Sequence, residues 1–152
     1  MKAKSKLKRL DNRKYARIKA DLDVRFVIVG VDPEDNMSSR VIQSETRSIS
    51  VKGACIGTNI VQVDGLHICS SISGLGKNKL RLEIDLPSSS KPITPMGEVR
   101  WYNLTPNDGK YLYYVGLSFT ELSNEDKETL KCFIAKEKKG DKTHFSFIRD
   151  WF

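Results

Sequence analysis

The sequence has little of what a catalytic or metal site is usually built from. Its 152 residues include two histidines and three cysteines, which are His67, His144, Cys55, Cys69 and Cys132. No cysteine pair has the spacing of a zinc knuckle, and neither histidine lies near a nucleophile motif. We therefore expect no enzymatic activity, no metal and no cofactor, and we interpret the cysteines as reduced thiols of a cytoplasmic protein.

Long apolar runs and nucleotide-binding loops are also missing from the chain. No stretch is long and apolar enough to span a bilayer, and no apolar segment follows the basic N-terminus as it would in a secretory signal. The chain contains no G-x-x-x-x-G-K-[ST] loop and no regular alternation of strands with helices. These absences argue against a membrane-spanning protein, a P-loop enzyme and a Rossmann domain.

The positive charge is concentrated at the N-terminus. The net charge is +7, but residues 1–19 carry nine basic side chains and one acidic side chain, so this segment is +8 and the remainder is −1. A negatively charged ligand should therefore bind at this segment and the surface beside it. Nucleic acid is a less favoured ligand, because the body is neutral and no strand interleaves aromatic and basic residues.

Alternating apolar residues predict a protein built mainly of β-strands. Residues 20–31 and 79–87 both alternate, and in the second stretch Leu80, Leu82 and Ile84 share one face. Further strands are predicted at residues 39–50, 51–60, 93–104 and 110–122, of which the last two form a hairpin across Asn107-Asp108-Gly109. Residues 62–78 are interpreted as a loop.

One helix is predicted after the last strand. Ser123 is a suitable N-cap, and acidic residues follow it in the first turn. Three apolar residues at helical spacing predict the buried side, and Gly140 is expected to end the helix. About six strands followed by one helix are typical of a small antiparallel barrel or sandwich.

The chain is expected to form one domain with an extension at each end. Residues 1–12 are interpreted as a flexible basic leader, residues 13–139 as the domain, and residues 140–152 as an aromatic tail. The tail carries five large apolar residues, which are Phe145, Phe147, Ile148, Trp151 and Phe152. We expect it to pack on the body or on a second copy, through which a homodimer could form.

Two polar stretches are candidates for a binding site. Arg13 and Arg17 lie four residues apart before the first strand, and the planar fork of arginine suits phosphate and guanine. Ser48, Ser50 and Gly53 lie at the joint between two predicted strands, where Gly53 can adopt a positive φ or let a ligand approach the backbone. Taken alone, each stretch could equally be a solvated basic tail or an ordinary turn.

Considered together, these stretches resemble a known family. With "GEVRW" at 97–101 and the stretch 113–134, they follow the order and spacing of PilZ domains, and the resemblance covers roughly residues 11–135. It implies a six-stranded antiparallel β-barrel with a C-terminal helix, which agrees with the fold class predicted from periodicity. It also implies a receptor for the bacterial second messenger cyclic di-GMP.

The resemblance implies roles for the basic residues before the first strand. Arg13 and Arg17 match the family's R-x-x-x-R motif, whose arginines bind guanine and phosphate of the dinucleotide, often as an intercalated dimer. Lys14 occupies a position where many members have a further basic residue. On this basis the leader would become ordered over the rim of the barrel when ligand binds, and would so signal to a protein partner.

The resemblance also covers the strand joint, with one departure. Ser50 and Gly53 match the family's [D/N]-x-S-x-x-G motif, but Ser48 stands where the family usually has Asp or Asn. Losing a charge-assisted hydrogen bond costs about 1–3 kcal/mol, which is roughly tenfold to a hundredfold in affinity. Trp101 lies where some members place a residue against the guanine.

Ser48 and the apolar tail leave a second function open. The chain could be a degenerate PilZ domain that binds no nucleotide and acts as a protein-interaction module.

Overall fold

A computed structural model describes residues 16–31, 37–70, 76–105 and 109–140 of the chain. These residues form nine strands and one helix: β1 Ile18–Lys19, β2 Asp23–Val29, β3 Ile42–Ile49, β4 Gly53–Thr58, β5 Gln62–Val63, β6 Leu66–His67, β7 Lys79–Ile84, β8 Met96–Leu104, β9 Tyr113–Glu121 and α1 Asn124–Gly140. Several predicted features lie outside the described residues, namely the leader 1–12, Arg13, Lys14, the tail residues 141–152 with His144, and the turn residues Asn107 and Asp108.

Six of the strands form a closed antiparallel barrel. Their order is β3-β2-β7-β8-β9-β4, and β4 pairs back with β3 to close it. The two-residue strand β1 adds to β3, with Ile18 opposite Ile49 and Lys19 opposite Ser48. The predicted fold class, a six-stranded antiparallel barrel with a C-terminal helix, is confirmed.

The core fills the inside of the barrel because the strands alternate as their sequences predict. Across β2 and β7 the directly opposite pairs are Val24–Ile84, Phe26–Leu82 and Ile28–Leu80. All six side chains are at most 1% exposed. Since directly opposite residues lie on the same face of an antiparallel sheet, these pairs place one continuous apolar surface toward the barrel axis.

The helix begins and packs as the sequence predicts. The Ser123 Oγ accepts a hydrogen bond of 3.1 Å from the backbone N–H of Asp126, which is the interaction of an N-cap. Leu130, Phe133 and Ile134 are buried, and α1 contacts β1. No helix within the described residues is both long and apolar enough to cross a membrane.

The region 62–78 differs from the predicted loop because it contains a small hairpin. β5 pairs with β6 across a turn at Asp64 and Gly65, whose φ angles are 55° and 77°. Two positive φ angles are typical of a type I′ turn, for which Asp-Gly is a favoured sequence. Leu66 and Ile68 are buried, so the hairpin contributes to the core.

Candidate functional site

The joint between β3 and β4 is a tight turn that Ser50 holds in shape. The backbone N–H of Ser50 donates a 2.8 Å hydrogen bond to the carbonyl of Gly53. The Ser50 Oγ accepts a 3.1 Å hydrogen bond from the N–H of Lys52. Ser50 is buried, and its hydroxyl acts within the turn in this structure.

Position 53 requires a glycine because the neighbouring strand leaves no room for a side chain, and not because of its backbone conformation. Its φ is not positive, unlike one of the two options that the sequence suggested. A Cβ at this position would lie 2.1 Å from the carbonyl oxygen of Leu117 on β9. The backbone that comes close to Gly53 is therefore that of the neighbouring strand.

A row of four residues crosses the outer face of the barrel next to this turn. Ser48 of β3 is opposite Cys55 of β4, Cys55 is opposite Gly116 of β9, and Gly116 is opposite Trp101 of β8. We call these four residues the outer row. The strand register thus places Ser48 and Trp101, two predicted site residues distant in sequence, on one surface.

The Trp101 indole lies directly over Gly116, which leaves room for it because it has no side chain. A Cβ at Gly116 would lie 2.2 Å from the Trp101 Nε1. Trp101 is nevertheless 47% exposed. An indole that contacts the sheet and remains about half exposed is suited to stack on a nucleic acid base.

Arg17 lies beside the outer row, just before the start of β1. It directly precedes Ile18, and the next residue of β1, Lys19, is opposite Ser48. Arg17 therefore lies at the same part of the barrel as the serine motif at the end of β3.

Arg47 also lies beside the outer row, because it directly precedes Ser48 on β3. The register of β3 against β4 shifts between Thr46 and Ser48, so Arg47 is the extra residue of a β-bulge. Its guanidinium carbon lies 4.1 Å from the centre of the Tyr114 ring, which is a cation–π contact.

The charges of both arginines affect the pKa of the Cys55 thiol. Burial raises the pKa of this thiol, and the charges of Arg47 and Arg17 lower it against that larger effect. The outer row thus runs from the buried Ser48 through the half-buried Cys55 and the buried Gly116 to the exposed indole of Trp101.

The structure brings together some of the predicted site residues and leaves others apart. Ser48 and Trp101 belong to the outer row, and Ser50 and Gly53 form the adjoining turn. Arg17 directly precedes β1, whose Lys19 is opposite Ser48. Sequence reasoning missed four residues of this surface, which are Arg47, Cys55, Tyr114 and Gly116. Arg47 adjoins the serine motif in sequence, but no pattern in the sequence shows the bulge that directs it.

The described histidine, His67, takes part in the structure of its own loop. The His67 Nδ1 accepts a 3.0 Å hydrogen bond from the N–H of Cys69, so this histidine shapes its own loop. Among residues 16–31, 37–70, 76–105 and 109–140, no group of three or more His, Cys, Asp or Glu side chains could hold a metal ion.

Replacing Gly116 with alanine is expected to displace the Trp101 indole from the sheet. The obstructed atoms belong to a side chain that can rotate, so the barrel should stay folded at a cost of about 1 kcal/mol. Trp101 is one of two tryptophans, and in a Trp151→Phe background the emission maximum should shift to longer wavelength. Gly76→Ala in the same background is the control, and equal spectra for both variants would contradict the expectation.

The family model of the PilZ domain matches residues 11–136 of the chain. Because this match covers most of the sequence, the protein belongs to the PilZ domain family. No curated protein matches the sequence.

Three solved structures share the fold. The inhibitor of motility MotI/DgrA of Bacillus subtilis has a TM-score of 0.56 and 23% identity, over 84% of this chain and 52% of its own. The PilZ domain of YcgR from Escherichia coli, solved with c-di-GMP, has a TM-score of 0.53 and 13% identity, over 86% of this chain and 95% of its own. MrkH, a c-di-GMP-dependent transcription regulatory factor, has a TM-score of 0.52 and 12% identity, over 82% of this chain and 50% of its own. The chain thus spans about half the length of the first and third proteins.

Proposed function

We propose that this protein is a receptor for cyclic di-GMP and that the ligand lies on the outer row. The observation that carries this proposal is the meeting of Arg17 with Ser48 and Trp101 on one face of the barrel. Membership of the PilZ family supports it, as does the c-di-GMP named for two of the structures that share the fold.

The chemistry of this face suits a guanine dinucleotide. Two phosphodiester groups need positive charge, and Arg17, which precedes β1, and Arg47, which precedes Ser48, would provide it. Guanine needs a flat apolar surface, and the exposed face of Trp101 provides one. Arg13 and Lys14 would add further cationic groups from the segment before Arg17.

The proposed signal is a change in the N-terminal segment. Arg17 connects that segment to β1, and β1 contacts both β3 and α1. Ligand held by Arg13, Lys14 and Arg17 would order the segment over the barrel, where a protein partner could recognise it. Ser48, Ser50 and Gly53 would form the fixed side of the site.

A protein-interaction module without nucleotide binding is the second candidate. It is favoured by Ser48, which lacks the carboxylate or amide of the family motif. It is also favoured by exposed apolar side chains at one end of the barrel, where Ile60, Leu104 and Leu112 are 38%, 71% and 59% exposed. A complex or dimer of the full chain that forms equally with and without cyclic di-GMP would support this candidate.

Calorimetric titration of the full chain with cyclic di-GMP tests the receptor proposal. We expect saturable heat with cyclic di-GMP and none with cyclic di-AMP, because adenine has no O6 acceptor for an arginine. Arg81→Ala is a matched control, since Arg81 is an exposed arginine of β7 on another part of the barrel. The absence of saturable heat at high micromolar ligand would refute the receptor proposal.

A further inference from the structure

The residues in and beside the outer row include hydrogen-bond donors for a guanine but few acceptors. The Watson–Crick edge of guanine presents N1–H and N2–H donors, which a family member with Asp or Asn at position 48 could bind. Here Ser48 is 1% exposed. The carboxylates of β3, β4 and β8 are Glu45 and Glu98, and each pairs with a lysine, at 2.8 Å from Lys110 and 2.9 Å from Lys79.

The Arg47 guanidinium is one hydrogen-bond donor beside this row. Arg47 occupies a fixed place because its guanidinium rests on the Tyr114 ring and its backbone is part of a β-bulge. A planar guanidinium matches the O6 and N7 acceptors of guanine, which form the Hoogsteen edge of the base and not the N1/N2 part of its Watson–Crick edge. Arg47 also directly precedes Ser48, so it adjoins the outer row.

We propose that Arg47 is a specificity-determining residue that binds the O6/N7 edge of one guanine of the ligand. The site would then recognise guanine mainly by its O6/N7 edge, with little contribution from the 2-amino group that Asp or Asn would bind. This inference rests on the proposed function, because it concerns how the same site recognises cyclic di-GMP.

Two ligand analogues test which edge of guanine the protein recognises. The analogue in which 7-deazaguanine replaces guanine lacks the N7 acceptor, and cyclic di-IMP lacks the 2-amino group. For the wild-type chain we expect the 7-deaza analogue to bind about tenfold more weakly or worse than cyclic di-GMP. Cyclic di-IMP should bind within a few-fold of cyclic di-GMP.

Variants at Arg47 test which residue reads that edge. Arg47→Ala should weaken cyclic di-GMP by about tenfold to a hundredfold and should remove the difference between cyclic di-GMP and its 7-deaza analogue. Arg47→Lys keeps the charge but lacks the planar fork, so it should recover part of the affinity without the N7 preference. Arg81→Ala, which removes the same charge elsewhere, should change neither, and thermal unfolding of each variant verifies its fold.

Each result decides between the two proposals. If the wild-type chain binds cyclic di-GMP and Arg47→Ala binds it equally well, this inference is wrong and the receptor proposal stands. A wild-type chain that rejects cyclic di-IMP and accepts the 7-deaza analogue also refutes the inference, even if Arg47→Ala does not fold. If the wild-type chain binds no cyclic di-GMP, the receptor proposal fails and this inference fails with it.

Discussion

Replacing Arg17 with alanine is expected to abolish measurable binding of cyclic di-GMP. Arg17 directly precedes β1, whose Lys19 is opposite Ser48, and its charge lowers the pKa of the Cys55 thiol against the larger effect of burial. A guanidinium that makes two charge-assisted hydrogen bonds to phosphate or guanine contributes about 1.5–3 kcal/mol through each bond. Losing both should weaken binding by about a hundredfold or more, which calorimetry at micromolar protein would detect as lost heat.

Two further variants separate this role of Arg17 from its charge. Arg17→Lys keeps the charge and loses the fork, so its affinity should lie between those of the wild type and Arg17→Ala. Arg81→Ala should bind like the wild type, although its net charge equals that of Arg17→Ala. Arg17→Ala with wild-type affinity would show that Arg17 takes no part in binding.

Replacing Gly53 with alanine is expected to destabilise the barrel more than other single small substitutions in the described residues. The new Cβ would lie 2.1 Å from the Leu117 carbonyl oxygen and 3.1 Å from the Cα of Ser118. Both atoms belong to the backbone of β9, which cannot rotate away as a side chain can. Separating β4 from β9 would strain the closed sheet and cost about 3 kcal/mol or more. For a chain of this size, the unfolding midpoint should fall by about 10 °C.

Gly76→Ala provides the matched control for this prediction. A Cβ at Gly76 would meet only Val31 side-chain atoms at 3.4 and 3.7 Å, which is ordinary contact. Its unfolding midpoint should remain within a few degrees of the wild type. Equal midpoints for Gly53→Ala and Gly76→Ala would contradict the assignment of Gly53 as a residue required by sheet closure.

The pattern of apolar residues was sufficient to predict the barrel and its helix. Val24, Phe26 and Ile28 alternate in the sequence and are buried in the structure, because a strand directs successive side chains to opposite faces. Ser123 was predicted as an N-cap and accepts the hydrogen bond expected of one. Strand alternation and helix capping both depend on residues close together in sequence, so a local sequence pattern predicts them.

The hairpin β5–β6 was missed although its turn has a sequence signal. Asp64-Gly65 is a favoured pair for a type I′ turn, but strands of two residues are too short to show an alternating pattern. The sequence around that turn therefore indicates only a loop.

The arrangement of the candidate site could be predicted only in part. The resemblance to PilZ domains gave Arg17 and Ser48, but the position of Trp101 opposite Gly116 depends on the register between distant strands. That register is set by the closure of the whole barrel. The bulge at Arg47 likewise arises from the pairing of two strands and leaves no mark in local composition.

Closure of the barrel also limits how this domain can associate with other chains. In the seven-stranded sheet only β1 and β4 end the strand order, and β4 already pairs with β3. Among the described residues, the unpaired side of β1 in that sheet is two residues long, which is too little to template the addition of a foreign strand. Partners of this sheet are therefore expected to recognise side chains and not to extend its backbone hydrogen bonding, and the same property should protect the domain from edge-to-edge aggregation.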